Sequence, residues 1–82
     1  MNVVISYDIR DKRRIKKVAK YLEGVGVRVQ YSVFLFVDVD KRKLKKIVRE
    51  VLRMIESEDS IKVYKLDLRY VIANYDISEF IV

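Results

Sequence analysis

The chain has 82 residues, 18 Lys and Arg against 12 Asp and Glu, a net charge of +6, and neither Cys nor His. That size means one small domain with a limited core. The missing residues exclude disulfides, thiolate or imidazole metal sites and His-based acid–base catalysis, so any metal would have to sit on carboxylates, carbonyls and water, a donor set suited to Mg²⁺ or Mn²⁺. No apolar run reaches the ~18 residues of a membrane span and the chain does not open like a signal peptide, so a soluble cytoplasmic protein without membrane contact is expected.

The positive charge is clustered. Residues 10–20 carry seven Lys and Arg against one acid, residues 40–55 carry seven against two, and residues 56–82 carry three against six. Two basic segments and an acidic tail make a field suited to a polyanion such as nucleic acid.

Residues 1–8 read as a strand. Val3, Ile5 and Tyr7 point to one face and Val4, Ser6 and Asp8 to the other, so both faces are apolar until the strand ends on Asp8. Asp11 is placed to cap a helix whose apolar stripe is Ile15, Val18, Ala19 and Leu22, with Arg13, Lys16, Lys17 and Lys20 opposite. Gly24 and Gly26 bracket its end, where positive φ is usually required. Residues 27–39 are rich in β-branched and aromatic residues, and their length predicts two strands broken near Gln30-Tyr31-Ser32. In the second of these, Phe34 and Phe36 share one face and Val33, Leu35 and Val37 the other.

Asp40 is placed to cap a second helix with an apolar stripe of Leu44, Ile47, Val48, Val51, Leu52 and Ile55, the rest being Lys41, Arg42, Lys45, Lys46, Arg49 and Arg53. A polar turn over residues 56–60 leads to a strand over residues 61–68, and residues 69–82 form an apolar-ended tail. The order βαββαβ implies an α+β, ferredoxin-like sandwich with two helices on one face of an antiparallel sheet and an extra C-terminal strand. Because the strands are apolar on both faces, the expected assembly is a homodimer through the open sheet face, with residues 69–82 docking on the partner.

The opening strand ending in Tyr7-Asp8, the basic helix after it, and the run from Gly26 to Phe34 (GVRVQYSVF) together resemble the CRISPR-associated protein two family, the small subunit of the spacer-acquisition machinery. The resemblance covers the whole chain. It implies a ferredoxin-like fold, a sheet-to-sheet dimer, and two Asp8 residues facing each other across the dimer axis. Members of that family are described either as metal-dependent nucleases or as non-catalytic bridges between integrase dimers that grip protospacer DNA. The chain departs from many relatives in having Arg14-Ile15 rather than an arginine pair slightly later in the first helix, and Leu35 where many carry an acid after the Phe.

By pattern alone, Asp8 is a turn former or hydrogen-bonding residue. The resemblance instead makes it catalytic and a metal ligand, shared with the partner's copy around one Mg²⁺ or Mn²⁺ that would activate water. Candidate nucleic-acid contacts are Arg13, Arg14, Lys16, Lys17, Lys20, Lys45, Lys46 and Arg49, with Arg28 matching a basic position of the family. These residues would fix the chain on phosphates and carry little sequence information. Tyr7, Ser32 and Phe34 are expected at the dimer interface. The functional expectation is an adaptation subunit that binds nucleic acid (protospacer DNA or RNA) and bridges integrase subunits, with a Mg²⁺-dependent endonuclease activity. The alternatives are a scaffold without catalysis and a toxin-like metal-dependent ribonuclease. An RNA-recognition module of the same strand order is disfavoured, because the run around Phe34 lacks that module's glycine-containing motif.

Overall fold

The computed structural model describes residues 1–67. Over that span the order is β1 (Val3–Asp8), α1 (Lys12–Glu23), β2 (Val27–Gln30), β3 (Val33–Phe36), α2 (Lys41–Met54) and β4 (Ser60–Lys65). The strands form one antiparallel sheet in the order β2-β3-β1-β4, which is the expected ferredoxin-like arrangement. The tail of residues 69–82, and with it the extra strand and the docking on a partner, lies outside the described residues.

Both helices start where their caps dictate. The Asp11 side chain accepts from the Arg14 backbone N–H and the Asp40 side chain from that of Lys43, each satisfying a donor that the first turn leaves unpaired. Both helices bury their apolar stripes against a single sheet face. Val18, Ala19 and Leu22 of α1 and Ile47 and Val51 of α2 join Val3, Ile5, Tyr7, Phe34 and Phe36 in one core. Side chains as fully enclosed as Phe34, Ile5 and Leu22 each contribute roughly 1.5–3 kcal/mol of apolar burial. On the opposite sheet face, which carries neither helix, lie Val4, Ser6 and Asp8 of β1, flanked by Val33 and Leu35 of β3 and by Lys62 and Tyr64 of β4, with Val4 fully buried.

Several local expectations need correction. Gly24 has φ −76°, and no glycine among the described residues has positive φ. Gly26 is required for a different reason: a Cβ there would lie 2.6 Å from the Phe36 ring. The one positive φ among the described residues belongs to Asp38, at 53°. Leu52 breaks the α2 stripe, since it is 53% exposed. The helix ends at Met54, so Ile55 packs on the core from the cap position. β4 starts one residue early and stops at Lys65, because its ladder with β1 runs only from Ser60 opposite Asp8 to Lys65 opposite Val3.

The break between β2 and β3 falls at Tyr31-Ser32, as expected. Neither residue has positive φ, so this tight connection is not one of the primed hairpin turns. The mismatch is taken up by a register irregularity between Arg28 and Gln30.

Candidate nucleic-acid interface and carboxylate site

The cations of α2 are the most available feature of the surface. Lys41, Arg42, Lys43, Lys45, Lys46, Arg49 and Arg53 are all exposed, because Leu44, Ile47 and Val51 turn the helix's other side to the core. Among the described residues only Arg53 has an acidic partner, with its Nη1 2.7 Å from Glu50. On α1, Lys12, Arg13, Lys16, Lys17 and Lys20 are exposed as well. A shallow groove near the C-terminal end of α1 has Tyr21 and Val25 on its wall, with Arg42, Lys46 and Arg49 opposite. Burial raises the Tyr21 phenol above its ordinary pKa, helped by the nearby Glu50 charge.

Arg14 is different from its neighbours. Its Nε lies 2.8 Å from Asp59 Oδ2, and its Nη2 reaches Glu58 Oε1 at 2.7 Å and Asp59 Oδ1 at 3.2 Å. Asp59, whose side chain is fully enclosed, also accepts from the backbone N–H groups of Arg10 and Glu56, at 2.9 Å each. The hydrogen bond from Arg14 is the main cause that lowers the Asp59 carboxyl to about 2, with the two backbone donors adding to it and burial opposing. The same bond raises the Arg14 pKa. Arg14 is therefore a structural tie rather than a phosphate contact, which corrects the expectation for it. It clamps the start of α1 to the turn before β4. Sequence reading missed Asp59, which looked like one polar residue among several in the turn of residues 56–60. The only signal was a basic helix start facing an acidic turn.

Arg28 is also engaged locally. Its Nε and Nη2 donate to the Tyr31 carbonyl at 3.2 and 2.6 Å, and its Nη1 donates to Glu23 at 2.9 Å. Its guanidinium sits 5.4 Å from the Tyr31 ring centre and 5.5 Å from that of Phe34. This side chain organises the β2–β3 turn through three of its five N–H groups, a local role beside the nucleic-acid contact that the family position implied. Burial raises the Tyr7 phenol, partly offset by Arg28 close to it, and the Tyr7 hydroxyl donates a long bond of 3.4 Å to the Tyr31 carbonyl.

Tyr7 and Phe34, expected at a dimer interface, lie instead in this chain's own core. They are 5% and 0% exposed, with ring centres 6.3 Å apart. Both side chains leave their strands toward the helices, so neither can reach the open face. Ser32 is half-buried in the turn, and its carbonyl accepts from the Tyr7 N–H at 3.1 Å.

Asp8 closes β1 on the face away from the helices. Its side chain is 70% exposed, and the nearest cation is Arg10 at 3.9 Å. Among the described residues no three Asp or Glu gather into a possible metal site. One copy thus supplies a single accessible carboxylate, which is too few protein ligands for a hard divalent cation. No helix among the described residues is long and apolar enough to cross a membrane.

Comparison with known proteins agrees with this architecture. The family model described as CRISPR associated protein Cas2 matches residues 1–73. A Chloroflexus aurantiacus protein named CRISPR-associated endoribonuclease Cas2 3 is 46% identical over 68 residues, covering 82% of this chain and 72% of that protein. A Halalkalibacterium halodurans protein named CRISPR-associated endonuclease Cas2 is 37% identical over 76 residues, covering 85% and 78%. Among solved structures, Streptococcus pyogenes Cas2 at pH 6.5 superposes with a TM-score of 0.78 at 28% identity, covering 92% of this chain and 99% of that one.

Proposed function

The chain belongs to the CRISPR associated protein Cas2 family, and on that premise we propose that it is a spacer-acquisition subunit that grips a nucleic-acid backbone through its helix-bearing face. The observation that carries this reading is the row of exposed α2 cations, six of which have no acidic partner among the described residues, beside the exposed cations of α1. Contacts of this kind are electrostatic and indifferent to sequence, as a subunit handling fragments of arbitrary sequence requires. Two copies would join through the face that carries the partly exposed Val33, Leu35 and Tyr64, doubling the basic surface and leaving it on the outside. An integrase subunit is the partner this role calls for.

The relatives' names, endoribonuclease and endonuclease, support a phosphodiesterase activity, and Asp8 is the residue we assign to it because it is an exposed carboxylate at a strand end. A Mg²⁺ or Mn²⁺ ion would need the carboxylates of two copies, and when bound it would supply an activated water and charge neutralisation at a phosphate. This chain's own part is to hold Asp8 exposed at a rigid strand end, paired with Ser60 and followed by a loop anchored through the Arg10 N–H to Asp59.

Replacing Asp8 by Asn tests the enzyme reading against the scaffold reading. Metal-dependent cleavage is expected to disappear while electrophoretic mobility shifts with the same nucleic acid stay unchanged. Cleavage that persists in the variant removes Asp8 from the chemistry.

A further inference from the structure

From the side chains gathered around Asp8 on the helix-free sheet face we infer that Arg10 and Lys62 grip the phosphate on which Asp8 acts. The inference rests on the phosphodiesterase reading above and adds to it two residues that touch the substrate.

The ladder between β1 and β4 places this group. Asp8 pairs with Ser60 and Ser6 with Lys62, so all four lie on the face away from the helices. Asp8 and Lys62 are diagonal neighbours in that ladder, roughly 7–8 Å apart along the backbone and within reach of a long side chain. The row through Leu35, Val4 and Tyr64 is apolar. Beyond it, toward the strand end, β1 and β4 carry only Ser6, Lys62, Asp8 and Ser60 on this face.

Arg10 arrives from the loop after β1. Its backbone N–H donates to Asp59 Oδ1 at 2.9 Å, and the enclosed Asp59 is itself held by Arg14, so residue 10 stands on a fixed base. Ile9 turns into the core, which leaves the Arg10 side chain beside Asp8, with Nη2 3.9 Å from Oδ2. That separation exceeds a hydrogen bond and the two side chains are 66% and 70% exposed, so the pair is weak. Among the described residues the Arg10 guanidinium makes no hydrogen bond and Lys62 has no acidic partner. Two loosely held cations beside a carboxylate can transfer to phosphate oxygens when substrate arrives. The α2 cations, on the other side of the sheet, hold the backbone elsewhere along the strand.

In hydrolysis a water oxygen bonds to phosphorus while the bond to the leaving sugar oxygen breaks with its electron pair. The proton that the water gives up ends on that leaving oxygen. Negative charge redistributes over the phosphoryl oxygens as this happens, and cations fixed there stabilise it. The guanidinium suits a forked contact with the two non-bridging oxygens, and the ammonium suits the leaving oxygen as a point charge.

Two measurements on the full chain test this. The first needs no turnover: thymidylyl-thymidine, which has a single phosphodiester, is titrated without metal while the Arg10 Nε–H resonance is followed by NMR. A saturable shift is expected, absent with thymidine, weaker in Lys62→Gln, and reached at lower concentration in Asp8→Asn, where the competing carboxylate is gone. The second is cleavage of a longer strand with Mg²⁺ or Mn²⁺ present. Arg10→Gln and Lys62→Gln are each expected to lower kcat on the order of 100-fold. KM, melting temperature and oligomeric state should stay as in the wild type, and Lys62→Arg should restore the rate. No resonance shift, an unchanged kcat, a loss confined to KM or a loss that follows dissociation of the protein would each overturn the inference. If Asp8→Asn still silences cleavage in that case, the enzyme reading stands without these cations. A wild-type chain that shows the shift and cleaves nothing removes the enzyme reading, and with it any part of Arg10 and Lys62 in the reaction.

Discussion

The start of α1 and the solvent face of α2 look alike in composition and behave differently in the fold. Each is a run of Lys and Arg that begins beside a capping Asp. At the start of α1, Arg14 meets Asp59 and Glu58 at 2.7–2.8 Å and is only 21% exposed. Along α2, Lys41, Arg42, Lys43, Lys45, Lys46 and Arg49 have no acidic partner among the described residues. The difference lies in what the chain folds against each helix. The acidic turn before β4 comes to rest on α1, while no acidic segment among the described residues covers α2. Counting cations thus overstates the binding surface wherever the protein neutralises its own charge.

The comparison can be broken most sharply at α2. Changing Lys45, Lys46 and Arg49 together to Gln should weaken duplex binding at least tenfold at moderate salt and flatten the plot of log affinity against log salt by about 2.7, with the melting temperature nearly unchanged. An unaltered slope would show that these side chains do not meet phosphate.

A smaller contrast separates two adjacent residues of α1. Arg13→Gln should reduce the salt slope by about one and leave stability alone, because Arg13 is exposed. Arg14→Gln should do the reverse, lowering the melting temperature by leaving the enclosed Asp59 without its main partner. If the two variants exchange these phenotypes, the assignment of Arg14 as a tie is wrong.

The smallest effect is one of pH. The Asp59 carboxyl falls from an ordinary 3.8 to about 2 in the fold. A depressed carboxyl stabilises the native state above its unfolded value, and that contribution is lost as pH falls from about 4 toward about 2. Thermal melts between pH 5 and pH 2 should show a steeper acid decline for the wild-type chain than for Asp59→Asn, whose curve should start lower and be flatter. Parallel curves would mean that Asp59 is not held ionised by Arg14.

Local chemistry made much of this molecule legible in advance. The caps at Asp11 and Asp40, the apolar stripes of both helices and the break at Tyr31-Ser32 follow from spacing and side-chain type, since each depends on residues within a few positions. The element order then restricts the topology, and the strand order β2-β3-β1-β4 agrees with it. The place of Asp8 at a strand end, on the face opposite Tyr7, was likewise readable from alternation along β1, whereas its exposure was not.

Contacts between distant segments were beyond that reach. Arg14 and Asp59 are 45 residues apart, so nothing in either neighbourhood marks them as partners. Tyr7 and Phe34 were expected at a dimer interface, and only the packing of the helices on their side of the sheet puts them in the core. Gly26 has a local signature for a turn, yet its reason is the Phe36 ring arriving from β3. Sequence alone determined where elements begin, which side of each is apolar and how much positive charge there is. Tertiary structure alone decided which charges stay free, because neutralisation depends on which acidic side chain the fold brings within a few ångströms.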